Sequence, residues 1–117
     1  MSTLIGTSVE RKEAWDKVTG KAKYTADISK PGTLYARLVT STVAHAKIKN
    51  VDVSEAKALD GVKTVITGKD YPVTCGVLLQ DRPVIAIDKV RYYGEPVAIV
   101  VALSEDKAAL AASDRKS

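Results

Sequence analysis

The sequence predicts an α+β domain with a mixed β-sheet and two helices, and three observations carry that prediction. Aliphatic residues recur at strand period in several short runs, of which Val97 to Ala102 is the most apolar. Two stretches carry helix signals, a short one near 54–60 and a longer, alanine-rich one near 104–112. The core must be aliphatic, since the chain has one Trp, five Tyr and no Phe, and β-branched side chains favour strands. With 117 residues, 45% hydrophobic and 27% charged, the chain has the size and composition of one globular domain.

In chain order, residues 1–17 read as a flexible arm and 18–117 as the domain. Met1 to Val9 is small and polar without periodicity. Arg11 to Val18 mixes charges with Ala14, Trp15 and Val18, compatible with a helical turn before Gly20; Trp15 either packs onto the domain or awaits another surface. Lys30-Pro31-Gly32 is a turn, Pro presetting φ and Gly tolerating its positive range. Leu34 to Val39 then alternates at strand period with a partly apolar second face, as a central strand would.

Lys47 to Val53 is predicted as a second strand, bulged where the phase slips between Ile48 and Val51. Ser54 offers an N-cap, Glu55 suits the first turn, Ala56 and Leu59 share a face and Gly61 ends the helix. Val62 to Thr67 returns to strand. Pro72 to Arg82 is irregular, with Val77, Leu78 and Leu79 in sequence, and Pro83 to Ile87 resumes as a short strand. Asp88 to Ala102 reads as strand, Gly-Glu-Pro bend at 94–96, and buried strand. Ser104 caps the last helix, with Glu105 and Asp106 at its positive end.

Composition excludes several chemistries. Gly20-Lys21 is no phosphate loop, because the required upstream Gly is Trp15 and the following Ser or Thr is Ala22. His45, the sole histidine, has no neighbouring ligand partner, nucleophile or orienting group, and reads as structural, bonded to a nearby carbonyl. Cys75 is the only cysteine, so no internal disulfide forms, and with no cationic neighbour it reads as inert. A reducing, cytoplasmic setting is the expectation, and no run approaches the roughly 20 apolar residues of a membrane span. Through Asn50 the chain carries nine Lys or Arg against four acids. These dispersed charges read as a solvated surface, or as part of a longer chain that balances them; the alternative is an independent basic module binding RNA or an acidic protein. The apolar Val77-Leu78-Leu79 run on a loop is either tucked into the core or reserved for a partner or ligand.

Four ordered stretches resemble a known family: GKAKYTADI from Gly20, PGTLYARLVTSTVAHAKI from Pro31, VDVSEAKALDGVKTVITGKDYP from Val51 and VIAIDKVRYYGEPVAIVVA from Val84. They are similar to the N-terminal α/β hammerhead domain of the large, molybdenum-binding subunit of xanthine dehydrogenases and aldehyde oxidases. The likeness is strongest to bacterial members with separate subunits, including the hydroxybenzoyl-CoA reductase branch. Two departures stand out. Thr42 occupies the place where the family usually has Pro, and the chain stops at Ser117, before a strand the family usually adds. That ending predicts a truncated hammerhead over 18–117 with an unpaired sheet edge, prone to self-association.

The resemblance implies a parent oxidoreductase that hydroxylates heteroaromatic rings or aldehydes at a molybdenum–pterin centre, or in one branch reduces an aromatic thioester. It implies iron–sulfur clusters and, in many members, FAD on other domains or subunits, and as partners these subunits and the pterin-binding domains of the same large subunit. No membrane or nucleic-acid partner is implied. The pterin-holding residues and the catalytic glutamate of the family lie in later domains, so the chain by itself is expected to hold no cofactor and no catalytic residue. Val77, Leu78 and Leu79 correspond to a loop whose apolar side chains line the substrate funnel in animal members, which marks them as the candidate substrate-binding residues. Glu95 is a second candidate, for a polar contact with the pterin domains, although backbone roles explain the Gly94–Pro96 bend as well.

Overall fold

The computed structural model describes residues 4–113. The chain divides into two compact units, Met1–Pro31 and Gly32–Ser117. The first contains helix α1 (Ala14–Val18) and a 3-10 turn at Thr25–Asp27. Thr19 ends α1 by donating its hydroxyl and its amide to the Trp15 carbonyl, at 2.7 and 3.0 Å. Trp15 itself is 65% exposed.

The second unit is built on β7 (Pro96–Ala102), the middle strand of a three-stranded sheet in which β1 (Tyr35–Thr40) and β3 (Val62–Thr67) flank it. Ala98, Val100 and Ala102 point to one face and are buried, as period two requires. Helix α3 (Glu105–Ser113) covers that face with Ala108, Ala111 and Ala112, packing against β1, β3 and β7. Alanines on both surfaces let helix and sheet backbones approach closely. Val65 completes the core cluster, and Val39, Val53, Ala56, Leu59 and Val62 pack around it. Ser104 caps α3 as expected, its Oγ accepting the Lys107 amide at 3.3 Å.

The α+β hammerhead class is what the sequence predicted, but four details differ. First, every strand pairing among the described residues is antiparallel, so the sheet is not mixed. The connection through α2 (Ser54–Ala58) returns β3 in the direction of β1, and β7 fills the gap between them, opposed to both. The arrangement is a split βαβ unit. Second, β1 is an edge strand rather than a central one, and Leu38 is about half exposed because it shares a face with its partner Ile99, opposite the face that α3 covers.

Third, the two neighbouring strands shrink. Only Ala46–Lys47 (β2) pairs with Lys89–Val90 (β6), because Ile48, Val51 and Val53 are all half-buried and no single alternation serves them. Pro83 to Ile87 is likewise a bend, with only Arg82–Pro83 (β5) laddered to Thr74–Cys75 (β4). Consecutive Ile85 and Ala86 are both buried, which a strand with only one covered face does not allow. Fourth, Ser54 is the first residue of α2 rather than its cap. Asp52 performs the capping, its Oδ1 accepting both the Ser54 amide at 2.9 Å and the Ser54 hydroxyl at 2.5 Å. The chain's end at Ser117 lies outside the described residues.

The β6–β7 bend turns at Gly94, whose φ of 85° favours glycine. Its amide donates to the Ser41 carbonyl at 3.0 Å, while the Ser41 amide donates to the Glu95 carbonyl at 2.9 Å. Glu95 is 2% exposed, with Oε2 accepting the Arg91 amide at 2.5 Å. The bend is thereby tied to the exit of β1, and the burial of Glu95 gives its side chain an intramolecular role instead of an outward contact.

Candidate functional site

The candidate site is the tip of the β4–β5 hairpin. Two ladder pairs, Thr74 with Pro83 and Cys75 with Arg82, are extended at the base by the Val84 amide donating to the Val73 carbonyl at 3.0 Å. Gly76 permits the tight turn that follows: a Cβ there would lie 1.8 Å from the Leu79 carbonyl oxygen. The turn projects Val77, Leu78 and Leu79 outward, with 102%, 95% and 73% of their surface exposed. All three predicted site residues therefore stand together on one tip, and the option of their being tucked into the core is removed. Three adjacent aliphatic side chains are thereby left in water.

The base of the hairpin is anchored twice. Pro83 is buried, and it tolerates a ladder position because this two-stranded piece is all edge. Arg82 donates from Nη2 to the Tyr92 hydroxyl at 2.7 Å, with its guanidinium carbon 5.5 Å from the ring centroid. Sequence reasoning missed this pair, ten positions apart with no periodicity joining them. Its faint signal was an Arg beside the strand-starting Pro and a Tyr beside the Gly bend.

Elsewhere the described residues offer little chemistry. His45 is exposed in the bend after β1, and its ring makes no hydrogen bond among the described residues, so the expected carbonyl partner is missing. Cys75 is free and exposed on β4. No group of three or more His, Cys, Asp or Glu stands together among the described residues. A shallow depression lined by Ile48, Val51, Gly68, Lys69 and Ile87 holds no acid–base pair. No helix among the described residues is long and apolar enough to cross a membrane.

The family model of the aldehyde oxidase and xanthine dehydrogenase a/b hammerhead domain matches residues 19–115. The chain belongs to this family. The hammerhead is 39% identical over 105 residues to the nicotinate dehydrogenase large molybdopterin subunit of Eubacterium barkeri, covering 88% of this chain and 25% of that one. It is 40% identical over 114 residues to the xanthine dehydrogenase of Oryza sativa subsp. japonica, covering 95% and 8% respectively. Among solved structures, a Cu,Mo-CO dehydrogenase superposes with a TM-score of 0.87 at 37% identity, over 93% of this chain and 14% of that one. The hammerhead thus spans a quarter or less of the length of these relatives. Membership in this family leaves the independent basic module that binds RNA or an acidic protein without support.

Proposed function

We propose that this hammerhead serves a xanthine dehydrogenase or aldehyde oxidase type of oxidoreductase as a structural domain that also presents an apolar wall to the substrate. The observation that carries the reading is the Val77–Leu79 tip, whose three adjacent aliphatic side chains are the most exposed large hydrophobic ones of the second unit among the described residues. Flat aromatic or aldehyde substrates are recognised by apolar walls around a few polar groups. The tip supplies such a wall and no polar group of its own, so it excludes water and orients a ring face, while proton transfer and redox chemistry belong to other parts of the parent enzyme.

A molybdenum–pterin group, which a large molybdopterin subunit would carry, supplies oxygen transfer and electron uptake in such an enzyme. The described residues do not fit it: they contain no ligand cluster. An iron–sulfur cluster fits no better, with Cys75 the only thiol in the sequence. The partners of this reading are the pterin-binding domains of the same subunit, together with iron–sulfur and FAD-carrying subunits. The free, exposed Cys75 suits a reducing cytoplasm.

The test is Leu78→Ala in the complete enzyme. Substrate preference should shift, by about tenfold in kcat/KM between a bulky and a small substrate for 1–2 kcal/mol of lost apolar contact. Molybdenum content should stay level. An unchanged preference would remove the wall from the reading.

A further inference from the structure

We propose that Arg82 and Tyr92 form a latch that sets the tilt of the Val77–Leu79 tip, making Tyr92 a positioning residue for the substrate wall. This rests on the reading of the tip as a wall and adds the residue that aims it. The tip cannot aim itself. Its side chains are exposed, and the ladder behind it has two pairs plus the Val84–Val73 bond. A two-stranded ladder of that length is marginal in water on its own. Orientation must come from the base, where buried Pro83 fixes the point at which the hairpin leaves the domain. That anchor, continued by buried Ile85 and Ala86, holds one strand of the base and leaves the hairpin free to tilt about it.

The Arg82–Tyr92 pair removes that freedom, because it joins the hairpin to a second, independently fixed segment. The Tyr92 carbonyl accepts the Glu95 amide at 3.3 Å, and the buried Glu95 carboxylate accepts the Arg91 amide, so Tyr92 is held on both sides. Gly94 and Glu95 are in turn bonded to Ser41. An unbroken set of contacts therefore runs from the end of the sheet through Tyr92 and Arg82 to β5 and the tip. The hydroxyl bond and the cation–ring contact act at one point in two directions, which fixes an angle as well as a distance.

Tyr92→Phe removes the hydroxyl and keeps the ring, and Arg82→Gln removes the cation. In the 117-residue chain, amide hydrogen exchange at Val84 should quicken about three- to tenfold in either variant, the loss expected from one exposed hydrogen bond. Leu103, whose amide donates to Gly61 at 2.9 Å at the far end of the sheet, should keep its protection. Unchanged Val84 protection in both variants, or equal loss at Val84 and Leu103, overturns the latch. In the complete enzyme Tyr92→Phe should raise KM while kcat and molybdenum content hold. If Leu78→Ala shifts substrate preference and Tyr92→Phe leaves KM alone, the positioning role fails and the wall stands. If Val84 loses protection and neither variant moves KM, the latch stands and the wall reading fails.

Discussion

Glu95 shows what a single buried polar residue can do for a turn. Its carboxylate meets the Arg91 amide inside the bend, and its own carbonyl takes the Ser41 amide. Glu95→Ala strips the Arg91 amide of that acceptor and leaves a void, so we expect a loss of about 2–3 kcal/mol in denaturant unfolding. Glu95→Gln keeps an oxygen in place and should cost about half as much. Equal losses in the two variants would show that the oxygen is not what holds the bend. Asp70 gives a pH-dependent counterpart at the end of β3. Its Oδ2 accepts the Thr67 amide at 2.9 Å and the Thr67 hydroxyl at 2.8 Å. These bonds, the backbone one foremost, hold its carboxyl below the usual range, with Lys57 contributing in the same sense and burial opposing. Because the folded value is the lower one, the stabilisation is complete above the unfolded value of about 3.9 and fades as pH falls through the folded value. The stability difference between the native chain and Asp70→Asn should therefore narrow below about pH 4, as read from urea midpoints.

At the scale of elements, α3 and β7 meet through alanines, and bulk is what such a seam cannot accept. Ala111→Leu should destabilise by about 1–3 kcal/mol through overpacking. Leu110→Ala, on the exposed side of the same helix, should stay within about 0.5 kcal/mol. A thermal melt of the two variants checks both. The elements legible in the sequence were those whose own residues dictate them. β7 is an apolar, β-branched run that starts at the Gly-Glu-Pro bend, β3 is a β-branched run between Gly61 and Gly68, and Ser104 with two acids and a run of alanines announces α3. The missed features depend on distant partners. Whether β1 lies at an edge depends on β7, some sixty residues downstream. The burial of consecutive Ile85 and Ala86 comes from a bend whose Ala86 amide reaches the Pro96 carbonyl, which local period cannot reveal. The candidate tip was legible as an apolar run without periodicity. Its support was not, because Arg82 and Tyr92 meet only in three dimensions.

For the second unit as a whole, the three-stranded sheet ends in β1 on one side and β3 on the other, and neither outer edge is laddered to another strand among the described residues. Unpaired edges recruit strands from other chains. The 117-residue chain should therefore sediment at a mass that rises with concentration; a constant monomer mass would show the edges to be protected. The same sheet has a consequence for synthesis. Its middle strand is the last to be made: Tyr35 and Val62 both wait for Ala102, and they have no sheet partner in each other. A nascent chain leaving the ribosome therefore carries two mute strands until β7 emerges, and contacts this distant in sequence close slowly. Chains arrested before Pro96 should stay protease-sensitive, and resistance should arrive in one step once β7 and α3 are free of the exit tunnel.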